Sequence, residues 1–181
     1  PLGCYGDGGA IFINDEEFAE VMNSIRLHGR GVEKYDNVRI GLNSRLDTIQ
    51  AAILLEKLKI FDDELTLRNN IATKYTEILT NHLDTPFVEK NIKSAWAQYT
   101  VKIKNRDHIK NALKDKFPTV IYYPIPLSQQ TGYETFPKVS SGLEVSELLP
   151  KEVLSLPMHP YLTEDQINYI CENLISALKG Q

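Results

Sequence analysis

Between Gly41 and Pro86 the chain contains neither glycine nor proline, and this uninterrupted stretch constrains the fold more than any other feature. Leu46, Ile49, Ile53 and the apolar pairs that follow recur at three-to-four spacing, the period of a helix with one apolar face. Asn43 or Ser44 is available as N-cap, Asp47 suits the first turn, and Pro86 ends the pattern. Phe61-Asp62-Asp63 is the expected bend, so one helical element is predicted from residue 43 to about residue 83. An element of that length bridges two lobes or carries an interface, because one small core cannot cover it.

On its N-terminal side, Ala10-Ile11-Phe12-Ile13 follows a glycine cluster and reads as a buried strand. Asn14-Asp15-Glu16-Glu17 then starts a helix with Phe18, Val21, Met22 and Ile25 on one face, ending near His28-Gly29. Residues 30–40 read as a polar loop over a site. Beyond Pro86, residues 96–103 alternate, with Ala97, Tyr99, Val101 and Ile103 on one face, as a half-buried strand does. A short helix over 107–116, a second strand over 119–123 and a polar excursion over 128–142 come next. A short helix over 143–149 and a last helix opened by Thr163-Glu164-Asp165-Gln166, a capping-box pattern, complete the order. This sequence of elements does not repeat the βα unit of a doubly wound domain. It predicts a small α/β domain with a short, mostly antiparallel sheet.

Composition removes several classes. A net charge of −4 and a pI near 5.6 give no basic excess for nucleic acid. No apolar run approaches the roughly 20 residues of a membrane span, and Pro1-Leu2-Gly3 has no signal-peptide character. Cys4 and Cys171 lack any CxxC or Cys/His spacing, so no metal site or disulfide framework is expected and a reducing cytoplasm is the default location. With no initiator Met, the sequence reads as a fragment.

The local chemistry leaves alternatives open. Gly3, Gly6, Gly8 and Gly9 run into a strand rather than a helix, which fits a tight turn and not a dinucleotide loop. Asn43 is either a helix cap or an anion contact, and Arg45 either a structural ion pair or a clamp for carboxylate or phosphate. Tyr122 and Tyr123 end a strand before Pro124 and Pro126; alternation would send the rings to opposite faces, one to core and one to surface or pocket. His28 reads as a helix-end cation or a site residue. His159 reads as a packing residue, and Trp96 as core.

Taken in order, Pro1-Leu2-Gly3-Cys4-Tyr5-Gly6-Asp7-Gly8-Gly9-Ala10, His28-Gly29, Lys34-Tyr35, Gly41-Leu42-Asn43-Ser44-Arg45-Leu46-Asp47 and Tyr122-Tyr123-Pro124-Ile125-Pro126-Leu127 resemble the DegT/DnrJ/EryC1/StrS sugar-nucleotide aminotransferases. The resemblance is nearest to those acting on UDP-linked 3-keto-glucuronate sugars. It implies the C-terminal part of an aspartate-aminotransferase-like (fold-type I) pyridoxal phosphate (PLP) enzyme: the end of the large PLP-binding domain over 1–42, a linking helix over 43–83, and a small α/β domain over 84–181. It also implies a cytoplasmic homodimer with shared sites and nucleotide-sugar and amino-acid substrates, glutamate being the expected donor. Asn43 is expected to reach the partner subunit's PLP phosphate, with Arg45, Tyr122 and Tyr123 on substrate. Tyr122 stands where the nearest relatives often have His. In the family the Schiff-base lysine comes just before Pro-Leu-Gly, so no catalytic lysine is expected in this chain, Lys34 being an unsuitable substitute. A binding or regulatory module that has lost catalysis, or a purely structural dimerisation domain, are the competing readings.

Overall fold

In the computed structural model, which describes residues 2–180, the chain divides into two compact units, 2–61 and 62–180. The larger unit has a closed hydrophobic core. Helix α3 (Phe61–Leu79) supplies Ile71, Ala72, Tyr75 and Leu79; the sheet supplies Tyr99, Val101, Leu154 and Leu156; α4 (Arg106–Leu113) and α6 (Glu164–Lys179) close the other side. The sheet is β1 (Tyr99–Lys102) antiparallel to β2 (Val153–Leu156), with Tyr99 opposite Leu156 and Lys102 opposite Val153. Single antiparallel bridges extend it on both edges, Asp84 to Lys102 and Val120 to Ser155. The inward alternation of Tyr99, Val101 and Ile103 follows the sequence reading, whereas Ala97, expected on the same face, is exposed and precedes the strand, which covers only Tyr99–Lys102 of the 96–103 expected. Residues 119–123, expected as a strand, hold only the Val120 bridge, because Pro124 and Pro126 stop the segment before a ladder forms. Their place as partner to β1 is taken by β2, after the short helix α5 (Glu144–Glu152).

Two polar ties brace this unit. The Tyr75 hydroxyl donates to the Pro157 carbonyl at 2.9 Å, with its ring 4.9 Å from that of Tyr99. Trp96 packs against the core, and its indole N–H donates to Asn69 Oδ1 at 3.1 Å. At the head of α6 the expected capping box forms, with Thr163 and Gln166 satisfying each other's backbone N–H groups.

The element predicted as one helix over 43–83 is two: α2 (Thr48–Leu58) and α3, separated by Lys59-Ile60, where i→i+3 hydrogen bonds tighten the chain. The N-cap is Asp47 rather than Asn43 or Ser44. In the smaller unit, α1 (Glu16–Arg26) is capped by Asp15, whose Oδ1 accepts from Phe18 N–H at 2.9 Å. The predicted strand over 10–13 is absent. Ile11 and Phe12 are exposed, and no described segment lies beside them to complete a ladder.

Candidate functional site

The smaller unit is built around a crossing of two backbones. Two carbonyls in the last turn of α1, which have no partner within the helix, are taken by the Asn43 segment: Leu42 N–H donates to Ile25 O at 2.8 Å and Ser44 N–H to Arg26 O at 3.0 Å. His28 N–H returns a bond to Leu42 O at 2.9 Å, and Leu27 and Asn43 form an antiparallel bridge. Gly41 permits this approach, since a Cβ there would collide with the backbone at His28-Gly29. His28 itself sits at φ 66°, in the left-handed region unusual for a non-glycine residue.

This anchoring changes the reading of Asn43. It lies five residues before the start of α2, so helix capping and the N-terminal dipole of α2 do not account for it. Its Oδ1 instead accepts from Arg45 Nε at 3.0 Å. The Asn43 amide nitrogen makes no hydrogen bond among the described residues, which leaves it as a donor. The pair lines a cleft of about 970 Å³ whose walls are the glycine segment Asp7–Ala10, the Met22 and Ile25 face of α1, and Asn43–Leu46. Arg26 lines it as well, held by a 2.8 Å bond from its Nε to Asn23 Oδ1. No lysine lines it.

Arg45 also borders a second cleft, of about 310 Å³, with His28, Arg30, Lys34, Tyr35 and Asn37. Among the described residues no acidic one lines this cleft, and three of its side chains are permanent cations or a lysine ammonium. The segment carrying them is a small antiparallel excursion, Arg30 bridging to Asn37 and Gly31 N–H donating to Asp36 O at 2.8 Å. Arg30 and Arg26 were not singled out in the sequence. The signal for Arg26 was position, since it is the last residue of α1, where a cation is favourable; Arg30 lies beyond the helix in the polar loop and carried no local signal.

Tyr122 and Tyr123 belong to the larger unit. Their rings meet edge-on, 5.7 Å between centroids, instead of pointing to opposite faces. The strand that would impose alternation is missing here, so the two phenols stand together, both partly exposed. Among the described residues no group of three or more His, Cys, Asp or Glu could hold a metal ion. Among the described residues, no helix is long and apolar enough to cross a membrane.

One unit is α/β with a short antiparallel sheet, and the other presents an amide and guanidinium donors to a cleft, a donor set suited to an anionic ligand. Residues 1–175 match the DegT/DnrJ/EryC1/StrS aminotransferase family, and the chain belongs to it. It is 47% identical, over 96% of its length and 48% of the relative's, to the UDP-2-acetamido-2-deoxy-3-oxo-D-glucuronate aminotransferase of Pseudomonas aeruginosa. Among solved structures it superposes with a DegT DnrJ EryC1 StrS aminotransferase from Brucella abortus at TM-score 0.90 and 50% identity, covering 99% of this chain and 47% of that one. S. venezuelae DesV, solved in complex with a ketimine intermediate, matches at TM-score 0.90 and 29% identity, with 98% and 48% coverage. The fold is thus that of these PLP-dependent aminotransferases, and the chain spans about half the length of the relatives it matches.

Proposed function

We propose that this chain is the C-terminal part of a PLP-dependent sugar-nucleotide aminotransferase, moving an amino group from an amino acid, glutamate, to the keto carbon of a nucleotide sugar used in surface-polysaccharide synthesis. Residues 1–42 end the large cofactor domain, 43–83 form the linking segment as two helices, and 84–181 form the small domain. The intact enzyme is a cytoplasmic homodimer with shared sites. The single observation that carries the reading is the state of Asn43, with its carbonyl oxygen occupied by Arg45 and its N–H₂ group left to donate.

The cleft's donors fit the cofactor. Asn43 and Ser44 offer neutral hydrogen-bond donors, Arg26 positive charge, and Gly8-Gly9 a wall without side chains. Such a set suits a phosphate, and the volume is that of a small-molecule site. When bound, PLP supplies an electron sink for the carbon that exchanges its amino group. Asn43 would hold the phosphate of the partner subunit's cofactor, and Arg45, fixed by Asn43, would hold its own orientation toward the cationic cleft. There Arg45, Arg30 and Lys34 would neutralise an anionic part of the sugar nucleotide. Tyr122 and Tyr123 would wall the sugar. The amine that carries PLP comes from outside the lining residues described, which include no lysine.

The role of Arg45 is tested in the full-length enzyme. Arg45→Ala should raise the KM for a uronate sugar nucleotide at least about ten-fold, the order expected for a lost hydrogen bond to a charged group. PLP affinity should change much less. An unchanged sugar KM would withdraw Arg45 from substrate binding.

A further inference from the structure

We propose that Gln50 is a positioning residue that ties the two walls of the large cleft together, an inference that rests on the reading of that cleft as the cofactor site. Gln50 lies in the first turn of α2, downstream of the wall formed by Asn43–Leu46. Its side chain reaches 45 residues back in sequence to the turn that leads into the opposite wall, Asp7–Ala10. Oε1 accepts from Tyr5 N–H at 2.9 Å and from the Cys4 thiol at 3.1 Å, while Nε2 donates to the Tyr5 carbonyl.

Only a primary amide of this length can do this. It offers an acceptor and a donor side by side, as a peptide group does, and so satisfies both backbone groups of one residue in the way a neighbouring strand would. Glutamate keeps the acceptor but sets a carboxylate oxygen against the Tyr5 carbonyl. Asparagine is one methylene short, and methionine keeps the length while losing both bonds. The surroundings are fitted to the amide. Gly6, at φ 118°, leaves room that a Cβ would take, since that Cβ would lie 3.0 Å from Gln50 Nε2. Two turns along α2, Lys57 Nζ lies 6.0 Å from the centre of the Tyr5 ring, so a second side chain of α2 approaches the same turn.

The tie matters because the walls are close. A Cβ on Gly8 would meet Cys4 Sγ at 2.9 Å and Leu46 Cδ1 at 3.4 Å, so a shift of the Cys4–Gly6 turn changes the separation of the glycine wall from the Asn43 wall. Gln50 touches neither cofactor nor substrate in this account. It acts by fixing the frame in which Asn43 and the glycine wall face each other.

The test uses the full-length enzyme with Gln50→Met and Gln50→Glu. In Gln50→Met, hydrogen exchange at the Tyr5 amide and alkylation of Cys4 should each speed up about ten-fold, the effect of losing one to two hydrogen bonds. The bound-cofactor absorbance should shift or weaken. A misplacement of walls by a fraction of an ångström to 1 Å should lower kcat about 10- to 100-fold with little change in sugar KM. Gln50→Glu should recover part of the native Tyr5 exchange rate and kcat as the pH is lowered and its carboxyl gains the missing donor proton, a rescue that Gln50→Met cannot show. Unchanged exchange at Tyr5 would overturn the tie. Faster exchange with native kcat and cofactor spectrum would overturn its positioning role. A wild-type enzyme that binds no PLP would instead overturn the reading of the cleft, and the positioning role with it.

Discussion

The two units of this chain differ most in what they bury. All sixteen residues of the hydrophobic core lie between Ile71 and Leu174, in the larger unit, whereas Gly29 alone is buried among residues 2–61. The smaller unit nevertheless carries an amphipathic α1 and the apolar residues Ile11, Phe12, Ile49 and Leu55, all of the type that cores are made from. The larger unit closes its apolar faces on one another. The smaller one closes its hydrogen bonds, at the α1–Asn43 crossing, and leaves its apolar faces open. In a family whose matched relatives are about twice as long, we attribute those open faces to contact with the remainder of the enzyme. Stability is therefore expected to reside in the larger unit, and the contact of Asn43 with the cofactor phosphate in the smaller one.

The sharpest way to break that division is to truncate side chains in both. Leu79→Ala, in the fully buried core, should cost about 2–5 kcal/mol in denaturant unfolding of this chain. Phe12→Ala, at a ring 95% exposed, should change it by less than about 0.5 kcal/mol. Equal losses would mean that residues 2–61 hold a core of their own.

Alkali gives a second probe confined to the larger unit. Burial, aided by the charge of Glu172, pushes the Cys171 thiol up from 9.0 to about 12. Burial likewise raises the Tyr75 phenol above its usual range. Both groups are neutral when protonated, and the fold favours that form. Their contribution is complete below about pH 9, the ordinary thiol value, and is lost as pH rises through the folded values. The urea midpoint should therefore fall between pH 9 and 12, and Cys171→Ala should flatten the lower part of that fall. In the native chain at pH 8, a thiol reagent should modify Cys4 readily and Cys171 only on unfolding. A Cys171 that reacts as fast as Cys4 would show that the core is open.

A smaller effect is expected at the edge of the same core. Thr163→Ala removes one half of the α6 capping box and should cost about 1 kcal/mol. A loss below about 0.3 kcal/mol would place the start of α6 outside the cooperative unit.

Local rules were legible in the sequence, and pairings across the chain were not. The α6 capping box and the Asp15 start of α1 are contained within four residues, and both formed as read. The alternation of Tyr99, Val101 and Ile103 also survived, because its buried face is set by the same chain segment. Residues 10–13 and 119–123 carry strand composition equally well, yet the first has no partner among the described residues and the second is cut short by its prolines. Val153–Leu156 becomes a strand because Tyr99–Lys102, some fifty residues away, pairs with it, which no window around residue 153 reveals. The Asn43 motif was recognisable as polar and site-forming, but its support was misassigned. The crossing with α1 depends on Gly29 and Gly41 approaching through space, and the helix that was meant to support Asn43 begins only at Thr48. The side-by-side rings of Tyr122 and Tyr123 were missed for the same reason, since alternation was assumed where no strand exists.

Cofactor titration of Asn43→Ala in the full-length enzyme, followed alongside its thermal unfolding without cofactor, tests the central claim most directly. Asn43 is outside α2, so its loss should leave unfolding of the cofactor-free protein nearly unchanged. PLP affinity should fall roughly ten- to a hundred-fold, matching about 1.5–3 kcal/mol for a hydrogen bond to a charged group. Native PLP affinity, with stability lost instead, would contradict the account and make Asn43 a structural residue of the α1 crossing.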